Sequence, residues 1–296
     1  MITRRTLLAS LAASLATPAL CSPGTSPGLL DLAYSDRSAR NTLDIYRPEG
    51  KGPFPVLLDI HGGGFLTGDK RDLRVPQQVL DRGIAIARIN YRLSAQARWP
   101  AQQEDALSAA AFLLKHAGEL GLSDRLAIGG RSAGAFLAVS AALSMVQAGW
   151  PPAAVIDFYG PMDFGSMDAD MARLGLQVKR PPADSAESVE SLLVGYAVGE
   201  KRREATAMGP VGRLAAMSDG VRLPPLMIRH GMRDTIVSGH QAEHLRNAWH
   251  RIDPHAPIDF ELLAEEGHGT RAFGSQDVLG DMADFLARHL VPGISG

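Results

Sequence analysis

Residues 130–134 read Gly-Arg-Ser-Ala-Gly, a serine with a glycine two positions away on either side. A serine hydroxyl is a weak nucleophile until a base takes its proton, so the pattern carries chemistry only if a histidine can reach Ser132. Nine histidines are available. His116 and His289 close helical patterns, where a cation near a helix C-terminus is reason enough. His240, His244 and His250 belong to one amphipathic stretch and its approach, and His255 to the loop after it. His61 and His230 end apolar runs directly before glycines, where a structural hydrogen bond accounts for them. His268 lies in Ala-Glu-Glu-Gly-His-Gly-Thr, a glycine-flanked loop after the last apolar run. Its imidazole needs an acceptor that fixes the tautomer and stabilises the protonated ring. Asp234 stands in the loop after the penultimate run, and Asp163, one run earlier, is the alternative acid. Position in the strand order favours Asp234, while Glu265 and Glu266 read as solvated.

A second stretch, Ile-His-Gly-Gly-Gly-Phe-Leu-Thr-Gly-Asp-Lys at residues 60–70, places three glycines where an apolar run stops. Acyl transfer builds negative charge on a carbonyl oxygen, and donors already aimed at that oxygen are often the largest catalytic contribution. The backbone N–H groups of Gly63 and Gly64 are candidates for that role, with the N–H of Ala133 just after the serine. Gly68, in the same loop but beyond the donor pair, is expected to tolerate a side chain better than Gly63. Asp69 and Lys70 read as a pair fixing this loop, and Arg92 with Asp105 as a buried structural pair. Phe65, Trp99 and Tyr159 fit either an acyl or aryl pocket or the core.

These groups are scattered over more than 200 positions, so the elements between them must gather them. Continuous apolar runs at Thr42–Tyr46, Pro55–Ile60, Ile84–Tyr91, Leu126–Gly129, Ala153–Tyr159, Pro225–Arg229 and Ile258–Leu263 read as strands. Helical patterns alternate with them at Arg71–Asp81, Ala101–His116, Ser132–Val146, Gln241–Ile252 and Gln276–His289. That alternation predicts an α/β fold with a mostly parallel sheet covered by helices on both faces. The chain from about residue 29 to 296 reads as one domain, after a linker near residues 22–28. A polar insertion near residues 165–210, holding Pro181-Pro182, reads as a small cap over the carboxyl edge of the sheet. Ligands of open parallel sheets bind at that edge.

Of 296 residues, 45% are hydrophobic, and 30 Lys plus Arg against 32 Asp plus Glu give a net charge of -2. No basic stripe is present, so nucleic acid is not an expected partner, and a small or neutral substrate is. Residues 1–21 carry Arg4-Arg5, an apolar run of Leu and small residues, and Thr17-Pro18-Ala19, which reads as an export signal of the twin-arginine kind. The expected location is therefore periplasmic or secreted, with no stable membrane span. Cys21 is the only cysteine, so no intrachain disulfide is expected.

His-Gly-Gly-Gly-Phe with Gly-Asp-Lys, Asn-Tyr-Arg-Leu-Ser, Trp-Pro-Ala-Gln-Gln-Glu-Asp, Gly-Arg-Ser-Ala-Gly and the Asp and His loops together resemble the hormone-sensitive-lipase-like esterases. The pattern is most similar to esterases of the BD-FAE type, described as acetylxylan or feruloyl esterases. The resemblance runs over roughly Leu30 to Leu290. It implies an α/β-hydrolase fold and hydrolysis of short-chain or aryl carboxylic esters without cofactor or metal. It makes Ser132, Asp234 and His268 the catalytic triad, with Gly63, Gly64 and Ala133 as oxyanion donors. An acylated sugar or plant polysaccharide is among the substrates it implies. An arylformamidase-like amide hydrolase and a binding protein without turnover share the same frame. Arg131 and Ala135 depart from the family, which usually has an acid or His before the serine and a second Gly after Ser-Ala-Gly. Arg131 is expected to be a structural ion-pair partner.

Overall fold

The structure is a computed structural model describing residues 27–291 and Gly293; the export-signal reading of residues 1–21 lies outside it. Eight strands, β1 (Pro27–Ala33), β2 (Thr42–Tyr46), β3 (Phe54–Ile60), β4 (Ala85–Ile89), β5 (Leu122–Arg131), β6 (Val155–Phe158), β7 (Leu226–Gly231) and β8 (Ile258–Leu263), form one sheet. Its spatial order is β1-β2-β4-β3-β5-β6-β7-β8. β2 runs antiparallel to β1 and β4, and every pair from β4 to β8 is parallel. The helices are α1 (Gln77–Asp81), α2 (Ala101–Lys115), α3 (Ala133–Gln147), α4 (Met167–Arg173), α5 (Val189–Val194), α6 (Arg202–Met208), α7 (Pro210–Ala215), α8 (His240–Ile252) and α9 (Gln276–Leu290).

Side chains along a strand alternate between faces, and here both faces are dry. Val56, Leu58 and Ile60 of β3 pack with Ile128 of β5 toward α2, α3 and α8. Leu57, Ala127 and Ile156 point the other way, toward α1 and α9. Burial on both sides is why these strands read as unbroken apolar runs rather than as alternating ones. Helix α3 is buried without a break from Ala133 to Leu143. Its glycine and alanines let it lie close on the sheet: a Cβ added at Gly134 would sit 2.1 Å from the Ile60 carbonyl oxygen. The start of α3 and the end of β3 are thereby pressed together, which brings the serine beside the glycine loop. This is an α/β-hydrolase fold.

Two elements differ from the sequence expectation. The edge strand β1 occupies part of what reads as linker, because Pro27-Gly28 at its start hides an irregular pairing with β2. Proline is admissible at the first residue of a strand. The helix expected over Arg71–Asp81 shrinks to α1. Pro76 is its N-cap, and the residue before a proline is turned away from helical geometry. Arg71 instead reaches back to Asp31 and Asp44, at 2.7 Å each.

The segment between β6 and β7 holds α4 to α7 and a 3₁₀ turn at Val198–Glu200. Its strap from Lys179 to Val189 is tied at both ends. The Lys179 amide donates to the Thr235 carbonyl at 3.1 Å. The Val189 side chain lies 3.3 Å from where a Gly64 Cβ would be. Between the ends, Asp168 accepts the amides of Ala183 and Asp184 at 2.7 and 2.9 Å. Arg180 pairs with Glu190 at 2.6 Å, both nearly buried. Among the described residues no helix is long and apolar enough to cross a membrane.

Candidate active site

Ser132 sits between β5 and α3 with φ 54° and ψ -125°, a left-handed conformation for a residue with a side chain. Such geometry costs of order 1–3 kcal/mol and persists only where the surroundings impose it. Here the flanking glycines are what permit it. A Cβ at Gly130 would lie 2.4 Å from the Gly134 backbone and one at Gly134 2.1 Å from the Ile60 carbonyl oxygen, so the turn closes against β3 only when both are glycine. The serine amide is fixed by the Phe158 carbonyl at 2.9 Å. Although Ser132 is the N-cap of α3, its hydroxyl caps nothing. It goes to His268 Nε2 at 2.9 Å.

His268 Nδ1 lies 2.6 Å from Asp234 Oδ2. Asp234 is fully buried, and its Oδ1 accepts the amides of Ile236 and Val237 at 2.8 and 2.9 Å. Burial pushes its pKa up, but His268 and His230 outweigh that and hold the carboxyl well below its usual range. An ionised carboxylate only accepts, so Nδ1 carries the proton and Nε2 is left to accept from the serine. The ring is supported from the side by Tyr159, edge-on with centroids 4.9 Å apart. The loop carrying it rests on bare backbone, since a Cβ at Gly231 would meet the Glu266 carbonyl at 2.2 Å. An imidazole held in this way can take the hydroxyl proton and give it back.

The glycine loop follows β3. Gly63 and Gly64 have φ of 106° and 58°. A Cβ at Gly63 would stand 2.2 Å from the Thr67 carbonyl oxygen, which receives no room from the loop's own bonds, Leu66 and Thr67 to Gly63 O at 3.1 Å. Among the described residues the amides of Gly63, Gly64 and Ala133 donate to no backbone carbonyl. His61 shapes the loop from below: its Nδ1 lies 2.7 Å from the Gly62 carbonyl and its ring stacks on Tyr91 at 4.4 Å.

Asp163, the alternative acid, is occupied elsewhere. Its carboxylate accepts from Gly165 N at 3.0 Å and from the Thr206 hydroxyl at 2.6 Å, and the structure does not bring it to His268. Gly68 departs from expectation: with φ 105°, its added Cβ would lie 2.5 Å from His61 Nδ1, so it is as constrained as Gly63. Asp69 and Lys70 are not an ion pair. Lys70 reaches Asp31 at 2.5 Å and Asp44 at 3.2 Å, whereas Asp69 accepts from Asn90 at 2.7 Å. Arg92 and Asp105 do pair, at 2.7 Å, and Arg131 joins Asp59 at 3.1 Å. Phe65 is core, set edge-on to Phe136 and Phe164, and Trp99 also abuts Phe136. Sequence reading gave His230 a structural hydrogen bond, which it makes with the Val237 carbonyl at 2.9 Å, but not its place fully buried 3.4 Å from Asp234. Its only signal was a position four residues before the acid. Among the described residues no three His, Cys, Asp or Glu side chains gather as a metal site.

A probable carboxylic ester hydrolase, LipM, of Mycobacterium tuberculosis is 30% identical to the chain over 260 residues, covering 83% of this chain and 57% of that one. Esterase LipQ of the same organism is 26% identical over 271 residues, covering 79% and 60%. The chain thus spans less than two thirds of either relative. A solved structure of a truncated carbohydrate esterase from gut microbiota matches in fold, with a TM-score of 0.74 at 23% identity, over 88% of this chain and 95% of that one. The sequence pattern of the BD-FAE family matches residues 43–249, from β2 to near the end of α8. The matched span holds the glycine loop, Ser132 and Asp234, and by it the chain belongs to the BD-FAE family.

Proposed function

We propose that the protein is a serine carboxylesterase acting on short-chain or aryl carboxylic esters through an acyl-enzyme, without cofactor. The observation that carries this reading is the unbroken chain from the Ser132 hydroxyl through His268 to a buried carboxylate. Ser132 Oγ attacks the ester carbonyl while His268 Nε2 takes its proton. The C–O bond to the alcohol breaks as His268 returns that proton to the leaving oxygen. Water then attacks the acyl-enzyme with His268 again as base, releasing the acid and the serine. In both halves the carbonyl oxygen, negative in the transition state, meets the amides of Gly63, Gly64 and Ala133.

Short acyl groups are expected because the cap consists of short helices and a tied strap, leaving no long apolar run for a lipid chain. The carbohydrate esterase among the fold's neighbours supports an acylated sugar as one such ester. The test is kcat/KM over a p-nitrophenyl series from acetyl to dodecanoyl, together with acetylated and feruloylated sugars. A maximum at dodecanoyl rejects the short-chain reading, and no turnover of any ester rejects the esterase. Export by the twin-arginine route belongs to the same proposal. Replacing Arg4 and Arg5 by Lys should hold the precursor inside, and normal export of that variant would refute it.

A further inference from the structure

We propose that His230 is a positioning residue for the reaction, holding Asp234 in place beneath His268; the inference rests on the esterase reading above. His230 is the fifth residue of β7 and lies four before the acid. It is fully buried, where an imidazole without polar work would be a burden. Its Nε2 donates to the Val237 carbonyl at 2.9 Å and lies 3.4 Å from Asp234 Oδ2. The Val237 amide in turn donates to Asp234 Oδ1 at 2.9 Å. One ring nitrogen therefore fixes both the carboxylate and the turn whose amide secures that carboxylate's other oxygen. Asp234 Oδ2 is the same atom that receives His268, at 2.6 Å.

The opposite edge of the ring is unlike the first. His230 Nδ1 has no hydrogen-bond partner, and neither does Oδ2 of Asp157, a second fully buried acid. The ionisable groups acting on His230 are Asp234 and, from β6, Asp157, whose own pKa burial pushes up to about 7; β8 places apolar Leu262 opposite it. Burial disfavours the charged ring, but Asp234 and then Asp157 outweigh it, so its pKa is raised. In either charge state Nε2 keeps its proton, so the contact with Asp234 survives. A carboxylate that loses this neighbour becomes the stronger base toward His268. The acid limb of kcat/KM should then move to higher pH.

Asparagine and glutamine separate the two ring nitrogens. A glutamine amide reaches roughly where Nε2 stands, whereas asparagine reaches only the Nδ1 position. Rates are taken per site titrated with a fluorophosphonate, so that loss of folded protein does not enter. His230→Asn is expected to lower kcat about 10-fold, the low end of what is lost when the hydrogen-bond partner that orients a metal-ligating side chain is removed. KM should hardly change, and the acid limb should rise. His230→Gln is expected to stay within roughly 3-fold with the limb in place. An unmoved acid limb with normal kcat in His230→Asn overturns the inference. So does His230→Gln losing rate with a shifted limb, a result readable even if the asparagine variant does not fold. Ser132→Ala, run alongside, answers separately for the esterase reading, since it must lose capture whatever His230 does.

Discussion

Among the described residues a serine, a histidine and an aspartate come into hydrogen-bond contact twice. In one set the order is Ser132, His268, Asp234, with the imidazole in the middle. In the other, Ser166 donates to Asp170 at 2.8 Å and His244 lies 3.0 Å from the same oxygen, so the carboxylate is in the middle. The first order puts an imidazole on the hydroxyl, a group that can take its proton and return it. The second puts there a carboxylate that burial would raise but that His244 and Ser166 hold below its usual range, hence a poor base. The backbones differ as well. Ser166 has φ -99° and ψ -11°, an unstrained helical approach, against φ 54° at Ser132. Gln241 bridges Ser166 and Asp170 at 2.9 and 2.7 Å, locking the second set into a joint between α4 and α8. Residue types alone do not make a nucleophile; the order of the hydrogen bonds and the turn under the serine do.

The largest expected contrast is between the two serines. Ser132→Ala should remove fluorophosphonate capture and lower kcat by about 10⁶, the loss known for a deleted serine nucleophile. Ser166→Ala should leave kcat within roughly 2-fold, because the hydroxyl lacks an imidazole. Capture surviving in Ser132→Ala would reverse the assignment. The acids come next. Asp234→Asn should lower kcat by about 10⁴ through the wrong tautomer, with far-ultraviolet dichroism unchanged. If Asp170→Asn or Asp163→Asn proved more damaging to kcat with folding intact, the wrong acid has been chosen.

A smaller loss is expected in the glycine loop, which the second set does not have. Gly63→Ala should cost about 10²–10³ in kcat, the usual loss of one oxyanion donor. It should also lower the melting temperature, because the new Cβ meets Thr67 backbone. Gly118→Ala is the control, since no atom stands within 4 Å of the added carbon. A near-normal kcat in Gly63→Ala would make the loop a plain turn. The smallest effect belongs to His244, whose pKa is raised by its bond to Asp170. A raised histidine stabilises the fold fully below the ordinary value of 6.5 and loses that contribution as pH climbs through its folded pKa. His244→Gln should therefore lower the melting temperature most below pH 6.5, by a few degrees at most, given that about 1 kcal/mol is worth roughly 2–4 °C at this size. A difference that grows with pH instead would exclude the pairing.

What could be read in advance follows from which forces leave a mark on sequence. Burial on both faces leaves continuous apolar runs, so β3 to β7 were legible within a few residues, while the half-buried edge strand β8 showed through its alternation of apolar and acidic residues. Backbone contact leaves glycine, so Gly130, Gly134 and the triple glycine announced the turn and the loop. Strand order distinguished Asp234 from Asp163, because each strand's carboxyl end has a fixed place along the sheet edge. Contacts made by flexible side chains across long separations leave no such mark. Nothing local told that Lys70 would choose Asp31 and Asp44 over Asp69, or that Ser166, Asp170 and His244 would meet across 78 positions. β1 was hidden by its Pro-Gly start, and Gly68 by a neighbour, His61, that only the folded loop brings near.

The strap between Lys179 and Val189 bears on how a lineage of such proteins can change diet. One end is fastened to the carbonyl of Thr235, next to the acid, and the other rests against Gly64. Residues exchanged between the two anchors reshape the rim while the working groups keep their places. Residues inserted outside them would drag one working group relative to the other. Lengthening a loop between fixed ends costs little, about 0.6 kcal/mol for each doubling. Innovation in what the protein accepts is therefore cheapest at the exposed strap positions Pro181, Pro182, Ala186 and Glu187, with Arg180, Ala183 and Ser188 kept because they hold the strap to the body.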